Sequence, residues 1–170
     1  MQHLKPGDLV TVEQRGRFYV FLVLSRSAFF GSQWAFAFHR SHDSPPRTGE
    51  VGLKAAKGFV ALIDFIEPRR SDALISLAKG LDHAPFMAFG LVKALIRPPG
   101  KEPLWYIYDR HSSAIIKTCN ALTEDELDYP IWSGVHAFDA TELIDMGWLP
   151  SHLLSPDEPG QYPIRSRRRL

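Results

Sequence analysis

The sequence predicts an α+β fold: a single domain built mainly on antiparallel sheet, with an SH3-like or barrel-like N-terminal hairpin and two to three short helices. Three observations predict it. Short strand-like runs, Asp8 to Glu13, Phe18 to Leu24 and Gln33 to His39, fill much of the first forty positions. Glycine and proline clusters cut the chain into short segments. Two helix-start patterns stand in the C-terminal third, Thr123 with Glu126 and Asp139 with Glu142.

The elements follow in order. Pro6-Gly7 stops any preceding helix. Asp8 to Glu13 alternates, placing Leu9, Thr11 and Glu13 on one face and Val10 and Val12 on the other. Gln14-Arg15-Gly16-Arg17 supplies a turn with glycine where a positive φ is needed. Phe18 to Leu24 is a near-continuous β-forming run, expected to be buried on both faces. A third strand is expected over Gln33 to His39, with Trp34, Phe36 and Phe38 on one face. A polar loop follows, His42 to Gly49.

Phe59 to Ile66 reads as a strand stopped by Pro68. Ser71 then reads as an N-cap. Ala73, Leu74, Leu77, Ala78 and Leu81 recur at helical spacing and predict an amphipathic helix of about two to three turns. Phe86 to Arg97 fits either a helix or a strand, with Gly90 and Pro98-Pro99-Gly100 favouring the strand. Leu104 to Asp109 and Ala114 to Cys119 form a second expected hairpin across Arg110-His111-Ser112-Ser113. The Thr123–Glu126 pattern predicts a short helix over 124 to 128. Asp139 is expected to cap a helix through Asp145, with Gly147 as its stop. The domain is expected to occupy residues 1–155. The remainder, 156–170, reads as an irregular or flexible basic tail carrying Arg165, Arg167, Arg168 and Arg169.

Composition narrows the function classes. The chain of 170 residues is 45% apolar and 23% charged, which is globular usage. A formal net charge of +1 provides no global field for nucleic acid or anionic membrane. Cys119 is the only cysteine, so no intrachain disulfide forms, and a reducing compartment is expected. Met1 to Asp8 lacks a signal-type apolar core, and no apolar run spans a bilayer, so a cytoplasmic location and no membrane partner are expected.

No catalytic set and no cofactor motif stands out, and the chain is not expected to be an enzyme. His39, His42 and Asp43 are residue types that bind zinc, but their spacing is not a helical metal motif and no second ligand pair follows. Cys119 and His111 lie on opposite arms of the second hairpin, yet nothing nearby forms an oxyanion hole. There is no phosphate-loop or dinucleotide pattern. The densest acidic cluster is Glu124, Asp125, Glu126 and Asp128, followed at once by Tyr129 and Trp132. Carboxylates that steer and aromatics that anchor are what a protein-binding surface uses. A second candidate surface combines Arg15 and Arg17 at the hairpin tip with His39, Arg40, His42 and Asp43. Plain readings stand beside both: a solvated short helix with two aromatics packed inward, and an ordinary polar loop.

Several short segments occur in a familiar order. They are Lys5-Pro6-Gly7-Asp8-Leu9-Val10, Tyr19 to Leu24, Gly58-Phe59-Val60-Ala61-Leu62-Ile63-Asp64-Phe65, Trp105-Tyr106-Ile107-Tyr108-Asp109, Tyr129-Pro130 and Gly147-Trp148-Leu149-Pro150. In this order the chain resembles immunity proteins encoded beside bacterial polymorphic toxins, in the group that opens with a Gly-Asp strand and a β-hairpin. The resemblance spans roughly residues 5 to 152 and consists of short strand and aromatic motifs. It implies a small cytoplasmic protein that neutralises a cognate toxin by binding it, with no catalysis of its own. Toxins in such pairs include nucleases, peptidoglycan enzymes and NAD-consuming enzymes. The near-neutral charge departs from the strongly acidic inhibitors of many nuclease toxins. A non-catalytic binding or scaffold module is the alternative expectation, and an enzyme with an unrecognised site is the third.

Overall fold

A computed structural model of the chain describes residues 4–27, 32–96 and 99–152. The fold is sheet-rich α+β, mostly antiparallel, with nine strands and three helices among the described residues. The strands are β1 (Leu9–Gln14), β2 (Arg17–Arg26), β3 (Gln33–His42), β4 (Gly58–Asp64), β5 (Leu74–Ala78), β6 (Leu91–Ile96), β7 (Leu104–Asp109), β8 (Ile115–Cys119) and β9 (Ile131–His136). The helices are α1 (Ile66–Arg70), α2 (Glu124–Leu127) and α3 (Ala137–Asp145). No helix among the described residues is long and apolar enough to cross a membrane. Two compact units divide the chain. The first runs to Ala88 and resumes over 133–148. The second takes Phe89–Trp132 and resumes at Leu149.

The first unit holds an antiparallel sheet in the order β5-β1-β2-β3-β4. The expected first hairpin is present, with Leu9 opposite Leu22 and Gln14 opposite Arg17. Its tip places Arg15 and Gly16 at φ of 56° and 75°, the left-handed region where glycine is favoured. Leu9 to Val12 and Tyr19 to Leu24 are buried on both faces, and β1 and β2 each lie between two strands, which pairs their backbone edges as well. Phe21 meets Phe65 edge to face at 5.5 Å. Gly58 begins β4 where a side chain has no room, for its Cβ would sit 2.1 Å from the Ala37 carbonyl oxygen.

Between β4 and β5 the structure departs from expectation. The helix expected over Ala73 to Leu81 is strand β5, paired antiparallel with β1 through Val12–Leu74, Thr11–Ile75 and Val10–Ser76. Five apolar residues at spacing three and four also fit a strand, and so short a helix is marginal without a tertiary partner. Pairing with the open side of β1 satisfies backbone groups that would otherwise be exposed or buried unpaired. A helical turn comes earlier, as α1, and contains Pro68; the strand expected to run to Ile66 and to be stopped by Pro68 ends at Asp64. Proline is tolerated there because first-turn N–H groups lack intrahelical acceptors. Ser71 closes α1, with its N–H donating to the Glu67 carbonyl, and does not open a helix.

α3 turns Ala137, Ala140, Leu143 and Ile144 inward onto β1, β3 and β4, at the spacing expected of one helix face. Its N-cap is His136, and Asp139 lies inside the first turn. There the carboxylate still faces the positive end of the helix dipole. Gly147, at φ 62°, ends the helix as expected. The Gly147 and Trp148 N–H groups donate back to the Ile144 and Leu143 carbonyls, a Schellman closure. The Tyr19 hydroxyl donates to Asp145 Oδ2 at 2.7 Å and ties β2 to the end of α3. Burial, with Asp145 beside it, pushes the Tyr19 phenol up to about 12.

The second unit is built on β6-β7-β8, antiparallel, with Leu91 opposite Asp109 and Trp105 opposite Cys119, and with a register shift between Ile107 and Tyr108 in the β7–β8 pair. The strand favoured within Phe86 to Arg97 is β6, preceded by a 3-10 turn at Ala84–Phe86. The second hairpin is present, its turn held by Asp109 Oδ1, which accepts from the Ser112 N–H and hydroxyl, both at 2.7 Å. β9 is an element the sequence reading did not include. It starts beside β6, where Ile131 pairs parallel with Lys93. Residues 156–170, expected to form a tail, lie outside the described residues.

Candidate partner-binding surface

β7 sorts its side chains by face. Trp105 and Ile107 are buried, while Tyr106 and Tyr108 are half-exposed on the opposite face. The two tyrosine rings stack at 6.1 Å, and the Trp132 ring stands edge-on to Tyr108 at 4.4 Å and 89°. This half-exposed aromatic row is the anchor type that interfaces favour, apolar over most of its area with polar tips. Trp132 therefore lies next to Tyr108, which in turn stacks with Tyr106; the sequence reading assigned neither tyrosine a part in such a surface.

α2 forms over Glu124–Leu127, with the expected capping box. The Thr123 N–H donates to Glu126 Oε2 at 2.8 Å. Lys117 Nζ, reaching from β8, donates to both Glu126 oxygens at 2.7 and 2.9 Å. Lys117 is the first cause holding the Glu126 carboxyl below its usual range, and the Thr123 N–H adds to it. Glu126 is thus committed within the unit. Glu124, Asp125 and Asp128 are exposed, whereas Tyr129 and Trp132 are half-buried. The six predicted residues share one unit but divide in role: three exposed charges, one internal brace and two part-buried rings.

Glu126 makes an acid-side prediction. Its folded pKa is depressed, so its contribution is present above the ordinary carboxylate range and is lost as pH falls through the folded value. Urea midpoints should therefore fall less steeply below pH 4.5 in Glu126→Gln than in the parent. Equal slopes would show that the Lys117 pair contributes no pH dependence.

Lys93 has a structural role that the sequence reading missed. Its side chain is fully buried, and Nζ donates to the carbonyls of Leu127, at the end of α2, and Pro150, the latter at 2.9 Å. The ammonium also lies 5.4 Å from the Trp105 ring centroid. Burial lowers its pKa from 10.5 to about 8, partly offset by the Asp128 carboxylate. A lone lysine in Leu91-Val92-Lys93-Ala94-Leu95 was the available signal.

The second predicted surface is not brought together as a metal or catalytic centre. Arg15 is exposed at the hairpin tip and lies 3.6 Å from Glu142 of α3, a loose surface pair; Arg17 is exposed beside it. His39 is structural: its Nε2 bonds the Trp148 carbonyl at 2.8 Å, and its ring packs at 5.6 Å from Phe59. Arg40 and Asp43 are exposed, and His42 is half-buried at the end of β3. Burial and then Arg40 lower the His42 pKa. Among the described residues no three His, Cys, Asp or Glu side chains converge on a metal position. Cys119 lies opposite Trp105, at the far end of β8 from the turn that carries His111.

No family model, curated protein or solved structure matches the chain.

Proposed function

We propose that the chain is a cytoplasmic bacterial immunity protein that neutralises a cognate toxin by direct contact, through the surface of its second unit. The observation that carries this reading is the half-exposed row of Tyr106, Tyr108 and Trp132 in the same unit as the exposed Glu124, Asp125 and Asp128. Rings provide desolvated anchors, and carboxylates steer a basic partner and set register. The fold reading joins it: β1 to β4 meander, and β5 returns to β1 after one helical turn, which supports an SH3-like arrangement of the first unit. That strand order also favours a second reading, a non-catalytic binding or scaffold module.

Co-purification with the product of the adjacent gene, followed by surface plasmon resonance, tests the proposal. Joint neutralisation of Glu124, Asp125 and Asp128 should slow association, more so at low salt. Trp132→Ala should raise the off-rate and cost about 2 kcal/mol of binding or more. Because Trp132 packs on Tyr108, circular dichroism must first show that the variant is folded. Folded variants that bind like the parent at both salt concentrations would move the interface elsewhere. A neighbour that fails to bind the parent protein would remove the toxin reading.

A further inference from the structure

We propose that β8 is a docking edge that takes an extended, basic segment of a partner protein as an added strand. β8 closes the β6-β7-β8 order, and among the described residues no strand lies on its outer side. Its outer backbone groups therefore have no strand partner among the described residues, and these are the groups that strand addition uses. Ile115 and Ile116 lie on this edge and are 57% and 59% exposed, the two most exposed large aliphatics among the described residues apart from Met146. They stand at a register shift between Ile107 and Tyr108 of β7, so two isoleucines are presented against one partner residue.

A charged side chain on the strand, lysine above all, is one of the devices that guard an edge. Here the strand's lysine, Lys117, is turned to Glu126 and held by both carboxylate oxygens, which removes its charge from that role. The chemistry of the occupant follows from what flanks the edge. One end carries the isoleucine pair. Beyond the other end, five residues after Cys119, α2 begins with exposed Glu124 and Asp125. A strand laid along β8 would thus place apolar side chains beside the isoleucines and cationic ones toward the carboxylates. An acidic segment would meet like charge there. The inference rests on reading the chain as a binding protein, and does not depend on that partner being a toxin.

Two short synthetic peptides separate the possibilities, one alternating valine with lysine, the other valine with glutamate. Each is added to the intact chain and followed by amide hydrogen exchange and titration calorimetry. The lysine peptide is expected to bind, to slow exchange at amides within 115–119, and to weaken at least tenfold between low and high salt. The glutamate peptide is expected not to bind. The double variant Ile115→Lys, Ile116→Lys alters exposed positions only and should lose lysine-peptide binding while keeping the parent's thermal transition. Joint Glu124→Gln and Asp125→Asn should weaken binding and flatten its salt dependence. Equal binding of both peptides, or protection at β5 in place of β8, would overturn the proposal. So would slow exchange along β8 in the peptide-free monomer, which would mean that the chain already covers this edge. Concentration-dependent dimerisation abolished by the double variant would assign the edge to a second copy and would equally overturn it. None of these outcomes depends on the neighbouring gene product, so failure here is distinct from failure of the toxin reading.

Discussion

Lys93→Ala should destabilise the protein by about 3 to 5 kcal/mol, measured as a lowered urea midpoint with an unchanged slope. Two losses add. Truncation leaves a cavity beside Trp105 at a site with no exposed surface, and it removes the donor from the Leu127 and Pro150 carbonyls. Buried acceptors left unmade cost about 1 to 3 kcal/mol each. Lys93→Met separates the terms: it keeps most of the bulk and removes the charge, so it should cost less than alanine. The pH dependence carries its own sign. Between the folded pKa of about 8 and the ordinary 10.5, the unfolded chain binds the proton that the folded chain releases. Stability attributable to Lys93 should therefore rise with pH across that window, by about 3 kcal/mol at most. Both substitutions should abolish the rise. A Lys93→Ala protein within 1 kcal/mol of the parent would show that water or local movement replaces the lysine.

Gly58→Ala should cost about 3 kcal/mol or more, from steric overlap. The added carbon would lie 2.1 Å from the Ala37 carbonyl oxygen and within 2.8 Å of two atoms of the Phe36 ring. The ring can turn, but the carbonyl belongs to the β3 ladder, where Phe38 pairs with Gly58. Relief requires separating β3 from β4 at its first pair. Gly49→Ala, where a new carbon meets nothing within 4 Å, is the matched control and should be nearly neutral. Thermal unfolding of the three proteins decides: equal transitions would mean that β4 shifts freely at its start.

Local patterns made the hairpins legible. β1–β2 and β7–β8 each combine β-forming runs with a polar turn, and nothing distant is needed to form that pairing. The α2 capping box was readable for the same reason, since Thr123 and Glu126 are three residues apart. β5 was misread because its residues satisfy both periods and only the open side of β1, sixty residues earlier, selects the strand. β9 was missed because its pairing with β6, Ile131 beside Lys93, is parallel and non-local. Among candidate site residues, Glu126 looked equivalent to its acidic neighbours until Lys117 was placed against it. Trp132 was picked out by type, but its neighbour Tyr108 is brought to it by packing alone.

The two units are interleaved along the chain, and this bears on the order in which they can be completed. The first unit breaks off at Ala88 and recovers its remaining piece only at 133–148, which brings the buried Ala137, Ala140, Leu143 and Ile144. The second unit also waits, because Lys93 needs the Pro150 carbonyl. Closing loops of this length carries an entropic cost that grows slowly, as the logarithm of their length, and must be met before the late contacts form. β1, β3 and β4, made early, therefore pass through a stage in which apolar surface meant for α3 is open to solvent. During synthesis, that interval is when the chain is most exposed to aggregation and to capture by chaperones.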